Sequence, residues 1–250
     1  MPAPKPTSTP ARRKKPPVSR TLAPVPSGLV RPEPGKTITA LKAADTEGRV
    51  MGVYVGKTRV ARVETNWAME AGLREGDEWT QELADKIYDA AKLYAAYQHA
   101  LHLTTSRQRS AFKLVQKLKQ SGHEAADAQA AAARLADLKL IDDEALAERL
   151  AEDLARSGKL GQRGIENKLR DKGIEASLAK RAAQAAASEL ANPDAALVLA
   201  QKRAPRLLNL DPRVARRRLY GFLVRRGFDH DEASRATETA LSAPADNDLQ

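Results

Sequence analysis

One short phrase occurs three times from residue 118 onward, and it constrains the fold more than any other feature of the sequence. Each copy runs from an apolar or basic helix end through a glycine to an acid, in residues 118–124 (LKQSGHE), 169–175 (LRDKGIE) and 223–229 (LVRRGFD). The glycines lie 51 and 54 positions apart. Glycine ends a helix in left-handed backbone, and an acid suits the positive N-terminus of the next helix. The period therefore predicts stacked three-helix units, which present long surfaces to large partners.

The composition excludes several classes of function. The 250 residues include no cysteine, which removes disulfides, thiolate metal sites and cysteine nucleophiles and is typical of a reducing compartment. No run of about 18 or more apolar residues is present, and the basic N-terminus lacks the apolar stretch of a signal peptide. We therefore expect a cytoplasmic protein that makes no contact with a membrane.

Positive charge is concentrated towards the two ends of the chain. The net charge is +10, and residues 1–36 contain eight Lys/Arg against Glu33 alone. Residues 202–226 contain nine Lys/Arg against Asp211 alone, so the rest of the chain sums to −5. Concentrated basic segments attract phosphate backbones or acidic protein faces, although a solvated surface has the same composition.

Composition and helix boundaries divide the chain into five segments. Ten of the fourteen prolines lie in the first 36 residues, which have few large apolar side chains to offset the entropy of ordering, so we expect a disordered basic tail. Short β-branched runs follow and predict three antiparallel strands, with a hairpin at Gly56 and Lys57. The remainder is helical in pattern. The predicted segments are the tail (1–36), a small β-segment (37–77), and three-helix repeats at 78–139, 140–191 and 192–243.

Local signals predict several boundaries. A short helix over residues 64–72 follows the strands, and residues 79–103 predict a long amphipathic helix. Asp142 or Asp143 is expected to cap the helix that opens the second repeat. Asn192, followed by proline, is expected to start a helix in the third.

The residues offer no candidate for catalysis. His99 and His102 lie on one helix face, but no further ligand follows at metal spacing, so a structural role is the better interpretation. Residues 158–164 are glycine-rich and basic, yet they follow a helix rather than a strand, which favours a flexible turn that a partner can approach over a phosphate loop. The acids at 142–144 are typical of a helix start. We therefore predict a non-enzymatic protein with no catalytic, cofactor-binding or metal-binding residues.

The strongest functional segment is residues 202–227. Arginines at spacings of three and four share one face of a predicted helix, while Leu219 and Phe222 are predicted to face the core, with Leu223 at the edge. Tyr220 is expected to pack in the core, with stacking on a base as the alternative. The planar fork of arginine suits phosphate or carboxylate. The candidate contact residues are Arg203, Arg206, Arg213, Arg216, Arg217, Arg218, Arg225 and Arg226, with Lys159 and Arg163 from the glycine-rich turn.

Taken together, these motifs resemble the RecX family, the regulators of the bacterial RecA recombinase. Residues 140–148 (LIDDEALAE) resemble its Leu-Asp-Asp-x-x-Phe-Ala-Glu phrase, and residues 161–174 (GQRGIENKLRDKGI) resemble its Gly-Pro-x-Arg-Ile-x-x-x-Leu-x-x-Lys-Gly-Ile phrase. Residues 109–122 and 217–228 match the corresponding helices of the first and third units, and the β-segment is similar to an N-terminal extension of some members. The likeness spans about residues 36–242. The departures are Ala111 and Lys113 in place of acids, Leu146 in place of an aromatic residue, Gln162 in place of proline and Gly164 in place of arginine.

The resemblance implies a fold and a set of partners. RecX-family members are curved, elongated arrays of three-helix repeats that lie in the groove of the RecA–single-stranded-DNA filament, suppress ATP hydrolysis and block strand exchange. The resemblance thus implies a regulator of DNA recombination and repair whose partners are the RecA filament and single-stranded DNA. Duplex DNA, bound without sequence specificity, is a further expected partner. We expect a monomer that needs no cofactor.

Two other functions fit the same residues. A stand-alone basic DNA-binding protein, such as a nucleoid or transcription factor, would use a helix–glycine–helix unit as a helix-turn-helix motif and would bind duplex DNA tightly without a recombinase. A helical scaffold for some other protein would bind DNA weakly and leave recombination reactions unchanged. DNA binding in the absence of recombinase therefore discriminates between them.

Overall fold

The chain folds into a small antiparallel sheet followed by helices, which confirms the predicted fold class. The structure is a computed structural model and describes residues 33–190 and 192–242, so the predicted tail lies outside the described residues except for 33–36. None of the helices in these ranges is long and apolar enough to cross a bilayer. The strands are β1 (Ile38–Ala43), β2 (Val50–Val55) and β3 (Thr58–Glu64). The helices are α1 (Thr65–Glu70), α2 (Gln81–Ser106), α3 (Ala111–Gln120), α4 (Ala125–Asp137), α5 (Asp143–Arg156), α6 (Gln162–Asp171), α7 (Ala176–Leu190), α8 (Ala195–Arg203), α9 (Pro212–Arg225) and α10 (His230–Ser242), with a 3₁₀ helix at Ala204–Leu207.

The sheet shares a core with the first half of the long helix α2. Its strands are hydrogen-bonded in the order β1-β2-β3, each antiparallel to the next. Val53, Val63 and Ile87 are fully buried in one cluster with Trp79, whose ring meets Tyr88 edge-on at 6.0 Å. The second half of α2 belongs to a different cluster, with α3 and α4. One continuous helix therefore ties the β-segment to the first helical unit.

Each helical unit is built around two large apolar side chains, four residues apart on its second helix. The pairs are Leu114 and Leu118 in α3, Ile165 and Leu169 in α6, and Leu219 and Leu223 in α9. All six side chains are at most 1 % exposed. The neighbouring helices add mainly alanines to these cores, such as Ala147 and Ala183 around the second pair. Small side chains let the helices approach closely but bury little apolar area each, so the large pair dominates each core.

The repeated glycines end the second helix of each unit, as predicted. Gly122, Gly173 and Gly227 have φ of 94°, 83° and 85°, the left-handed backbone in which an L side chain is strained. The acids that follow differ in role. Glu175 accepts hydrogen bonds from Ser177 and from the Leu178 backbone N–H, which lower its pKa to about 2.

The other two acids after the glycines behave differently from each other. Asp229 caps α10, because its carboxylate accepts a hydrogen bond from the Glu232 N–H at 2.7 Å. Glu124 makes no such cap and instead pairs with Lys92 of α2 at 3.2 Å. Two of the three acids therefore act at a helix start, as the sequence predicts, and the third ties two helices of the first unit together.

The first joint between units brings the C-terminal end of α6 to the N-terminal end of α3. Ser110, the N-cap of α3, is 1 % exposed and donates its hydroxyl to the Lys172 carbonyl at 2.7 Å. The Ala111 N–H donates to the carboxylate of Asp143 at 3.0 Å, while Asp142 caps its own helix, α5. The predicted capping role of the acidic pair is thus shared between two helices, one of them in the neighbouring unit.

The second joint repeats this arrangement with backbone alone. The N–H groups of Gly161 and Arg163, at the start of α6, donate to the carbonyls of Arg226 and Gly227 at 3.1 and 3.2 Å. Carbonyls at a helix end and N–H groups at a helix start lack partners within their own helices, so each end satisfies the other. The negative end of one helix dipole also faces the positive end of the next. Helices α9, α6 and α3 consequently follow one another head to tail across the three units.

One predicted helix start is wrong, and one predicted turn is shorter than expected. Asn192 and Pro193 do not start a helix: the Asn192 side chain accepts a hydrogen bond from the Asp194 N–H in a turn, and α8 begins only at Ala195. In the glycine-rich segment, residues 158–161 form the predicted turn between α5 and α6, whereas residues 162–164 form the start of α6, and Gly161 and Gly164 pack on the third unit. A short-range sequence signal does not distinguish an exposed glycine loop from a glycine contact between helices.

Two histidines of the first unit, one buried and one half-buried, lie side by side and have lowered pKa values. The Nδ1 atom of His99, which is 8 % exposed, lies 3.0 Å from the Nε2 atom of His123. Burial lowers the pKa of both imidazoles below the ordinary 6.5, and the nearby His123 and His102 lower that of His99 further. Both rings therefore bind protons more weakly in the folded chain than in the unfolded chain.

We expect the free energy of unfolding to fall as the pH drops below 6.5, because protons then bind preferentially to the unfolded state. Urea unfolding at about pH 7.5 and about pH 5.5 measures the change. The variant His123→Gln, which keeps a hydrogen-bonding group, should lose less stability over this interval than the native chain. An equal loss in both proteins would contradict a role for the pair.

Candidate nucleic-acid interface

Helix α9 positions the arginines that the sequence singles out. Asp211 caps its start, accepting hydrogen bonds from the Arg213 and Val214 N–H groups at 2.9 and 3.3 Å, and Pro212 occupies the first turn. Leu219 and Leu223 anchor the helix in the core of the third unit. Because these buried residues fix the helix rotation, the arginines at intermediate positions project into solvent.

Three of these arginines line a cavity of about 550 Å³ between α9 and the start of α10. Arg213, Arg216 and Arg217 form one side of it, and Tyr220 and His230 lie beside them. Arg216 is paired with Glu238 of α10, whereas no carboxylate of the described residues pairs with Arg213 or Arg217. The cavity is open and cation-rich, which suits an anion such as a phosphodiester more than an apolar ligand.

Tyr220 packs against the core of the third unit, as predicted, and also faces the cavity. Its side chain is only half-buried, its hydroxyl lies 2.5 Å from Nδ1 of His230, and the two rings stack at 6.2 Å. The alternative that the sequence left open, a ring available to stack on a base, fits this placement. A flat ring beside arginines is a recurring feature of single-strand binding surfaces.

Phe222 packs against the core of the third unit, as predicted, but it is less buried than Leu223. Leu223, expected at the edge, is fully buried, while Phe222 is half-buried and lies between two guanidinium groups. The Arg203 and Arg226 guanidinium carbons lie 5.7 and 5.2 Å from its ring centroid. The cause is geometric: residues 219 and 223 are one helical turn apart and share the core stripe, whereas residue 222 lies about 100° away from 223.

The remaining predicted residues are split between two regions. Arg206, Arg218 and Arg225 are exposed and make no ion pair with a carboxylate of the described residues. Lys159 and Arg163 belong to the second unit, but the second joint brings them to the end of α9. The guanidinium of Arg226 donates to the Lys159 carbonyl at 3.3 Å, and the Arg163 N–H donates to Gly227. The basic surface of α9 therefore continues across the joint.

A second basic cluster, which is not evident from the sequence, lies in a cleft of about 690 Å³ between the first and second units. Its six cations come from chain segments up to 65 residues apart: Arg107, Arg109, Lys113, Lys117, Arg149 and Lys172. The lysine spacing on α3 was visible, but it is ordinary for an exposed helix. No group of three or more metal-ligating side chains occurs within the described ranges. The six cations of the cleft suit an anionic ligand.

The chain is similar to proteins of known family in sequence and in structure. Residues 142–182 match the family model described as RecX, second three-helix domain, and residues 193–237 match RecX, third three-helix domain. A solved structure titled "Crystal structure of regulatory protein RecX" is 21 % identical, with a TM-score of 0.63, and the match covers 81 % of this chain and 99 % of that one. RecX from Lactobacillus salivarius is 22 % identical with a TM-score of 0.51, over 60 % of this chain and 96 % of that one. No curated protein sequence matches the chain.

Proposed function

The chain belongs to the RecX family, and on that premise we propose that this regulatory protein acts without catalysis by binding the RecA–single-stranded-DNA filament. In this proposal it lowers ATP hydrolysis and strand exchange, and so limits DNA recombination and repair. The three repeats at 78–139, 140–191 and 192–243 form the surface that meets the filament.

One observation carries the proposal: the three-helix units are joined head to tail through α9, α6 and α3, and exposed cations follow this row. A row of joined units can contact several neighbouring subunits of a polymer at once, which multiplies weak contacts into tight binding. A ligand of this kind shifts a filament between conformations in proportion to its differential affinity for them. Cations along the row add affinity for the DNA that the filament carries.

The rate of single-stranded-DNA-dependent ATP hydrolysis by the cognate recombinase tests the proposal. We expect the rate to fall when the full chain is added at substoichiometric concentrations, with loss of filaments over the same range. An unchanged rate, with recombinase and DNA both shown to be active, would contradict it. Tight duplex binding without recombinase would then favour a stand-alone DNA-binding protein.

A further inference from the structure

We propose that the cleft between the first and second units binds the phosphate backbone of a single strand of nucleic acid. The cleft lies over the first joint, and its cations come from α3, from α5, from the segment before α3 and from the end of α6. It is separate from the arginine face of α9. The inference rests on the proposed function for the choice of a single strand over other polyanions.

The charge of the cleft is not compensated within the described residues. Lys113 and Lys117 donate to the amide oxygens of Gln116 and Gln120, which are neutral, at 3.1 and 3.0 Å. Arg107, Arg149 and Lys172 make no ion pair with a carboxylate in this part of the chain. By contrast, many cations elsewhere are paired, among them Arg134 with Glu64 and Arg181 with Glu144.

The acid that lies nearest has another partner. Asp171 is the acidic residue lining the cleft, and its carboxylate lies 3.5 Å from Nζ of Lys168. At the joint the end of the α6 dipole meets the start of the α3 dipole and the two offset each other, and the carboxylate of Asp143 accepts a hydrogen bond from the Ala111 N–H there. The positive potential in the cleft therefore comes from lysine and arginine side chains that lie close to one another. Such an arrangement costs free energy until a polyanion binds and releases counterions.

An exposed aromatic ring adjoins Lys113, one of the residues that line the cleft. Phe112 is 56 % exposed, which is unusual for a phenylalanine, and Nζ of Lys113 lies 5.7 Å from its ring centroid. An aromatic face beside lysines provides a stacking platform for a base whose phosphates contact the cations. A flexible single strand can bend into the cleft, whereas a duplex is stiff over about 150 base pairs and exposes no base face.

Fluorescence anisotropy of a labelled oligothymidylate, with the full chain and without recombinase, tests the inference over a series of KCl concentrations. The slope of log K against log [KCl] is about −0.7 for each phosphate contact to a single strand. The variant Lys113→Gln/Lys117→Gln should therefore flatten the slope by about 1.4 and weaken binding about tenfold at low salt. The control Lys57→Gln/Lys180→Gln removes two exposed, unpaired lysines elsewhere and should leave the slope unchanged.

The variant Phe112→Ala separates stacking from charge. It should weaken binding about fivefold or more while the slope stays that of the native chain. An unchanged slope in the lysine variant, or a polyglutamate competitor as effective as unlabelled oligothymidylate, would overturn the inference. Because recombinase is absent from this assay, its failure is distinct from a failure of ATPase regulation, and each result stands alone.

Discussion

Gly164→Ala should destabilise the protein by about 2 kcal/mol or more, although alanine is the better helix former. Gly164 lies inside α6, where alanine in place of glycine ordinarily adds about 0.5–1 kcal/mol of stability. At this position a Cβ atom would lie 2.1 Å from the Arg226 carbonyl oxygen and 3.0 Å from its carbonyl carbon. Backbone cannot swing aside as a flexible side chain can, so the joint between the second and third units must open.

The chain supplies a matched control for this prediction. Gly221 lies inside α9, and a Cβ atom there would meet only the flexible end of the Arg225 side chain, at 3.2 Å. We therefore expect Gly221→Ala to be neutral or to stabilise by about 0.5–1 kcal/mol. Urea unfolding followed by far-ultraviolet circular dichroism measures both changes. If Gly164→Ala raised the unfolding midpoint as Gly221→Ala does, the close contact at the joint would be refuted.

The Gly164→Ala variant also tests whether the third unit depends on the second unit for its stability. Opening the joint removes the hydrogen bonds from Gly161 and Arg163 to the end of α9. In stacked repeat proteins stability is shared through such nearest-neighbour interfaces. The third unit of the Gly164→Ala variant should therefore unfold at lower urea than the rest, which gives a broader or two-step transition. A single sharp transition at the native midpoint would show that the third unit does not depend on this contact.

The helical units could be predicted from the sequence because their signals are local. A glycine that ends a helix, an acid that starts the next, and two apolar residues four apart all act within a few residues of each other. The pairs Leu114/Leu118, Ile165/Leu169 and Leu219/Leu223 recur at the same period as the glycines, so the three cores follow from the same pattern. Leu223, predicted at the edge, is fully buried because residues 219 and 223 are one helical turn apart and share the core stripe.

The joints could not be predicted, because their signals are split between distant segments. Gly161 and Gly164 look like a loop until the end of α9, more than 60 residues later, is placed against them. The cations of the cleft are also divided between distant segments, because Lys113 and Arg149 become neighbours only after α6 meets α3. The sequence predicts Asp143 as a candidate cap for its own helix, but its carboxylate binds the Ala111 N–H at the start of α3, in the preceding unit. Contacts of this kind depend on which backbone ends satisfy one another, and a single sequence does not encode that locally.

Reversing two arginines of α9 should weaken binding to a preformed recombinase filament about 100-fold. The variant Arg213→Glu/Arg217→Glu changes cations that line the cavity beside Tyr220 and make no ion pair within the described residues. It leaves the Arg216–Glu238 pair in place, so the packing of α9 on α10 should persist. The loss comes from missing charge-assisted hydrogen bonds and from repulsion between the new carboxylates and the filament's phosphates or acids.

The control for this variant must match its net charge. Lys57→Glu/Lys180→Glu also lowers the formal charge from +10 to +6, but at exposed positions on the sheet turn and on α7. If the location of the charge matters, this control should bind within about threefold of the native chain, measured by sedimentation of filaments on single-stranded DNA. Equal losses in both variants would mean that overall charge steers binding and that α9 is not a contact surface.

The charge-preserving variant Arg213→Lys/Arg217→Lys then identifies what α9 contacts. Lysine keeps the point charge but loses the planar fork that donates two parallel hydrogen bonds. If the arginines only track a phosphate backbone, this variant should bind nearly as well as the native chain and keep the same salt slope. If they clamp carboxylates of the recombinase, affinity should fall about tenfold with little change in slope, since the fork supplies the geometry. The two outcomes distinguish the DNA from the protein component of the filament as the partner of this helix.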